Sequence, residues 1–172
     1  MQVFELLIDA FERIRETVHR TADGLSADDL AYRPDPDANS IAWLIWHLTR
    51  IQDDHIAGLA AQPQVWHESD WPERIGFTGD LSETGYGHTS EQVAAIRPAG
   101  PEPLLGYHDA VAEQTTAYLR GVSETDLDRI VDRSWDPPVT AGVRLVSVVN
   151  DNMQHAGQAG YVRGLVQRSR AR

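Results

Sequence analysis

Apolar residues recur at helical spacing along most of the chain. Phe4, Leu7, Ile8, Phe11, Ile14 and Val18 fall three or four apart with charged residues between them, the stripe of an amphipathic helix. This predicts a first helix over 2–21, ended by Gly24. Leu25 to Leu30 reads as a short capped turn. Pro34 to Asp37 breaks the chain, and Asn39 or Ser40 can cap a second helix running to Ala61, with Ile41, Leu44, Ile45, Leu48, Ile51 and Ile56 inward.

From 62 to 103 the periodicity lapses, and Trp66, Trp71 and Phe77 lie among Pro, Gly, Asp and Ser. The aromatic residues predict an ordered loop, and loops of this length in compact domains usually serve function. Within it, Ser90 to Ile96 can form a short helix capped by Thr89 or Ser90. A third long helix is expected over 104–121, with Leu105, Val111, Ala112, Thr115 and Leu119 inward. Ser123 to Leu127 is another capped turn, and the stretch from Arg129 to the Pro137-Pro138 break is extended or irregular. A fourth helix is expected over 143–167, its apolar face built from Leu145, Val148, Val149, Met153, Ala156, Ala159 and Val162. Four long amphipathic segments and scarcely any alternating pattern predict an all-α, single-domain bundle over 1–172, with a long loop between helices two and three.

Composition narrows the chemistry. The chain has no cysteine, so any metal must be held by imidazole, carboxylate or amide groups, and any thiol must come from outside. All 15 Lys+Arg residues are arginine and the net charge is -11, which argues against a nucleic-acid backbone or an anionic membrane as partner. The usage of Arg, Ala, Asp and Gly suggests a high-GC bacterial genome. The first residues do not read as a signal peptide and no stretch reads as a membrane span, so a cytoplasmic location is expected.

Asp151 and His155 lie four apart in the last predicted helix. Four residues turn about 400° and rise about 6 Å, so both side chains can converge on one ion. Taken alone, the pair reads as an ordinary helix surface with a cap-like Asp and an unrelated His, since the i, i+4 interval is common. His47 sits in the apolar run Trp43-Leu44-Ile45-Trp46-His47-Leu48, where an imidazole needs a partner. That partner is either a hydrogen bond or a metal shared with a facing helix. Asp54, two turns beyond His47, reads as a solvated charge near the site, or can orient a ligand or act as a general base for hydrolysis. Gln158 can hydrogen-bond a ligand or close a helix contact. Tyr86 and His88 can cover the cleft and touch substrate, or belong to a glycine-punctuated turn. Arg50 can bind a substrate carboxylate or form a surface ion pair. His55 reads as an exposed helix residue, and Gly157 and Gly160 as packing positions.

The runs Trp43 to His55, Gly85-Tyr86-Gly87-His88-Thr89-Ser90-Glu91-Gln92-Val93 and Asn150-Asp151-Asn152-Met153-Gln154-His155-Ala156-Gly157-Gln158 resemble signature segments of the DinB-like superfamily. The likeness is to its actinobacterial branch described as a domain of unknown function, related to mycothiol-dependent maleylpyruvate isomerases. It spans nearly the whole chain, and His-Ala-Gly-Gln is its most specific piece. The resemblance implies an up-down-down-up four-helix bundle whose metal ligands fall on His47, Asp151 and His155. The maleylpyruvate isomerases carry a glutamate where this chain has the shorter Asp151. The resemblance further implies one divalent metal (zinc first, nickel or iron as alternatives), a likeness to homodimers, and a small electrophile attacked by a low-molecular-weight thiol such as mycothiol. Two His and one carboxylate leave open positions on such an ion. The competing expectation is a non-catalytic bundle in which metal binding supplies folding free energy.

Overall fold

The structure is a computed structural model, and it describes residues 2–170. Helix dominates, with one small two-stranded ribbon. Four long helices form the core: α1 (Val3–Ala22), α3 (Ile41–Ala60), α7 (Glu102–Arg120) and α9 (Ala141–Arg170). Helix α3 packs against both α7 and α9, and α1 packs against the same two. Between them run α2 (Ala27–Ala31), α4 (Val65–Glu68), α5 (Trp71–Ile75), α6 (Ser90–Ala95) and α8 (Glu124–Leu127). No described helix is long and apolar enough to cross a membrane.

The boundaries follow local chemistry. Ser40 accepts from the Trp43 amide and caps α3. Ser26 with Asp29, and Thr89 with Gln92, form capping boxes that start α2 and α6. Helix α3 is buried on nearly every side, because the long segment after it folds back over the face that α7 and α9 leave open. That segment carries two one-turn helices, α4 and α5, which are too short to leave a periodic signal. The stretch read as extended is a real ribbon: β1 (Ile130–Asp132) pairs antiparallel with β2 (Val139–Thr140), and Ile130 faces Thr140.

The apolar stripes of α1, α3 and α7 lie inward largely as their spacing predicts. Met153 does not: its side chain is 60% exposed on α9. The core face of α9 is instead made by Leu145, Val148, Ala156, Ala159, Val162 and Val166, with Asn152 buried among them. Asn152 donates to Gln52, and Gln52 donates to Thr115, at 2.7 and 2.8 Å. This polar chain joins α9, α3 and α7 through the core.

Candidate metal centre

Helices α3 and α9 bring His47, Asp151 and His155 together. One ligand atom from each lies within 4.8 Å of the others. Ligands about 2.1 Å from a tetrahedral ion sit about 3.4 Å apart, so side-chain rotation of about an ångström gathers the set around one ion.

Each histidine is oriented by its far nitrogen. His47 Nδ1 donates to the Thr84 carbonyl at 2.5 Å. His155 Nδ1 donates to Gln158 Oε1 at 2.9 Å. Both rings thereby offer Nε2 as the remaining nitrogen, the arrangement that fixes tautomer and ring plane in metal sites. His155 Nε2 lies 3.5 Å from Asp151 Oδ1. The other carboxylate oxygen, Asp151 Oδ2, is enclosed and has no hydrogen-bond partner. An enclosed, unpaired carboxylate oxygen is costly, and a cation beside it would remove the cost. The donor set and this orphaned oxygen fit a divalent metal.

The charges agree. Burial opposes ionisation of Asp151, yet the His155 hydrogen bond and the nearby His47 and His55 rings hold its carboxyl below the usual range. Burial pushes His47 down, against the pull of the Thr84 carbonyl toward the charged form. The Asp151 hydrogen bond raises His155, against its partial burial.

The wall around His47 comes from the long loop. The Trp43 ring stacks on His47, with centroids 4.6 Å apart. Trp43 Nε1 donates to His88 Nδ1 at 3.1 Å, so His88 carries its proton on Nε2 and directs it to Glu83. Gly85 passes directly over the imidazole. A Cβ there would stand 2.7 Å from His47 Nδ1, and its φ of +99° also favours glycine. Tyr86, by contrast, is 94% exposed.

Arg50 is fully buried, not a surface ion pair. It donates to the Glu83 and Leu81 carbonyls, to Gln64 and to the Tyr107 hydroxyl. Asp53, also fully buried, accepts from the Val65 and Trp66 amides and from the Tyr107 hydroxyl. Together they bind the loop to α3 and α7. Asp54 lies elsewhere: one oxygen accepts from Gln64, and its side chain faces a separate cavity. His55 is half-buried with the Arg144 guanidinium 3.1 Å from its Nδ1, rather than exposed.

Thr84, Gly85, Glu83 and Asp53 had no place among the sequence candidates. Only the Gly85-Tyr86-Gly87 punctuation marked the loop as conformationally special; nothing local announces that a backbone carbonyl will reach a histidine 37 residues earlier.

A groove of about 730 Å³ lies between the 34–39 turn and α9; the triad does not line it, and Gln158 is its link to His155. Gln158, which holds His155, forms part of its wall with Leu44, Asn39 and Tyr161.

A profile of the DinB superfamily matches residues 10–159. The chain belongs to the DinB superfamily, some of whose members bind metals. A conserved protein of Enterococcus faecalis, known from its crystal structure, is 33% identical to it, with 96% of this chain and 98% of that chain covered and a TM-score of 0.89. Comparison with curated proteins gives no match.

Proposed function

We propose that this protein binds one divalent metal through His47, Asp151 and His155 and acts as a metal-dependent S-transferase or thiol-assisted isomerase. The observation that carries the metal reading is the enclosed, unpartnered Asp151 Oδ2 beside two imidazoles whose far nitrogens are already engaged. Zinc suits this donor set best, with nickel or iron also compatible. When bound, such an ion supplies Lewis acidity and lowers the pKa of whatever occupies its open positions.

Among the described residues only these three form a cluster of metal-ligating His, Asp and Glu side chains. Three protein ligands leave room for an outside group, which supports catalysis over a closed structural site. The chain has no cysteine of its own, so its thiol would be a small external one, mycothiol in an actinobacterial host. The residues' tasks are then positional. Thr84 and Gln158 hold the two rings, Trp43 and Gly85 exclude water from His47, and the groove beside Gln158 receives the electrophile. A hydrolytic reading is less well supported, because Asp54, the candidate base, is turned to Gln64 and to a different cavity.

The same reading includes an up-down-down-up helix order. Partner numbers rise together between α3 and α7 (Thr49 with His108, Gln52 with Thr115) and oppose one another between α3 and α9 (Gln52 with Asn152, His55 with Arg144). It also includes a homodimer, supported by the exposed stripe of Val146, Met153 and Tyr161 on α9.

The test is calorimetric titration of chelator-stripped protein with Zn²⁺, Ni²⁺ and Fe²⁺, with and without 2-mercaptoethanol. One-to-one metal binding, followed by thiol binding that requires the metal, is the expected result. Metal binding with no thiol response would remove the S-transfer reading, and absence of metal binding would remove both.

A further inference from the structure

The seam between α3 and α9 has a second cavity, beyond the triad from the Gln158 groove. It encloses about 420 Å³, and its wall includes Asp54, His55, Arg129 and Arg144. Register fixes its relation to the triad. Asp54 follows His47 by seven residues, and Arg144 precedes Asp151 by seven. Seven residues bring a helix back to within about 20° of the same face and advance it about 10 Å. The two helices therefore present this cavity on the face that carries the triad, two turns away.

Its chemistry stands apart from the rest of the surface. With a net charge of -11, the protein as a whole repels anions, yet two guanidiniums converge here. Arg144 directs one nitrogen to His55 Nδ1 at 3.1 Å and another to Asp132 at 3.2 Å. A guanidinium can only donate, so His55 keeps its lone pair on Nδ1 and its proton on Nε2. Arg129 donates to the Leu59 carbonyl at 2.9 Å, and among the described residues no carboxylate lies within 4.0 Å of it. Asp54 supplies the opposite charge. Its Oδ1 accepts from Gln64, while its Oδ2 lies 3.5 Å from His55 Nδ1. Both of those atoms are acceptors, so Asp54 Oδ2 retains its capacity for a donor from a ligand.

A purely anionic ligand would meet Asp54, and a purely cationic one would meet two guanidiniums. A group carrying both signs satisfies the whole wall. We propose that this cavity binds the α-amino-acid head group of a ligand, its carboxylate on Arg129 and Arg144 and its ammonium on Asp54. The ligand's reacting atom then lies at the His47–Asp151–His155 triad. Only the position of that far end rests on the metal reading above; recognition of the head group does not.

γ-Glutamylcysteine is a suitable probe. Seven bonds of about 1.5 Å separate its amino-acid carbon from its sulfur, a reach of roughly 9 Å when extended. The experiment is calorimetric titration of the full, metal-free chain with this peptide and with its N-acetyl derivative, under reducing conditions. The expected result is that N-acetylation weakens binding at least tenfold, and that Arg129→Gln and Arg144→Gln each do so for the parent peptide. Arg144 also ties the ribbon to α3, so its variant can lose binding by misfolding. Arg129 is exposed, and its variant keeps the test decisive. No binding at millimolar peptide, equal binding of the two peptides, or unchanged affinity in Arg129→Gln would overturn the proposal. Arginine-dependent peptide binding in a protein that takes up no zinc would leave this cavity standing and remove the metal reading. Zinc binding without peptide binding would do the reverse.

Discussion

The His47 imidazole is held by the backbone of Thr84, Nδ1 to carbonyl oxygen at 2.5 Å. One hydrogen bond therefore links the second long helix to the apex of a loop far along the chain. It sets which nitrogen faces Asp151 and His155, so the loop governs the geometry of the triad without adding a side chain to it.

Gly85 makes that contact sterically feasible. Gly85→Ala would place a methyl 2.7 Å from His47 Nδ1 at a φ of +99°, so the loop must lift. We expect a stability loss of about 1–3 kcal/mol and a zinc affinity lower by about 10-fold or more, as for loss of a ligand's orienting partner. Chemical denaturation and zinc calorimetry on the same variant check both.

His155→Ala should abolish stoichiometric metal binding. Gln158→Leu, which removes only the acceptor for His155 Nδ1, should bind zinc with affinity reduced by roughly 10- to 100-fold. If His155→Ala retained full occupancy by metal analysis, the triad would be wrongly assigned.

Arg50 and Asp53 are both fully buried and lie 3.7 Å apart. Arg50→Met would leave Asp53 as an uncompensated charge and free the loop carbonyls at 81 and 83. Breaking a buried pair by removing one partner typically costs about 3–5 kcal/mol. Urea denaturation should show a loss of that size.

His108 supplies a pH signature of the fold. It is fully buried, and burial pushes its imidazole down to about 4. Thr49 donates its hydroxyl to the Ile45 carbonyl, so its oxygen accepts from His108 Nδ1–H, and the opposite ring nitrogen has no partner. The unfolded chain takes up the proton first, near its ordinary value of about 6.5. The stability His108 confers is thus present above about pH 6.5 and drains away as the pH falls toward 4, by roughly 3 kcal/mol in all. His155, raised by Asp151, contributes with the opposite sign in metal-free protein. Comparing denaturation of the parent and His108→Gln at pH 7 and pH 4.5 isolates the effect, which should shrink strongly in the variant.

The sequence made the long helices and the triad legible for one shared reason: periodicity. An amphipathic stripe reports the face a helix buries, and a four-residue interval reports that Asp151 and His155 share a face. His47 stood out because a histidine in an apolar run demands a partner. Periodicity is silent about α4 and α5, which complete only a turn each, and about the two-residue strand β2. It misplaced Met153, because a long α9 wrapped by neighbours on one side leaves some apolar positions outside. It also misread Arg50, since a charge can be buried when loop carbonyls and a nearby Asp53 surround it, and those come from distant parts of the chain.

Two of the grips on the loop take hold of main-chain carbonyls. Arg50 reaches the carbonyls of Leu81 and Glu83, and His47 reaches that of Thr84. Carbonyls are the same whatever residue bears them. Gly85, whose conformation and clearance are fixed, and His88, which takes the Trp43 indole hydrogen bond, are constrained; the positions that contribute only a carbonyl can change their side chains over evolutionary time without releasing the histidine beneath. Relatives can therefore diversify what they recognise by rewriting the outward face of the loop while the ligand cradle stays as it is.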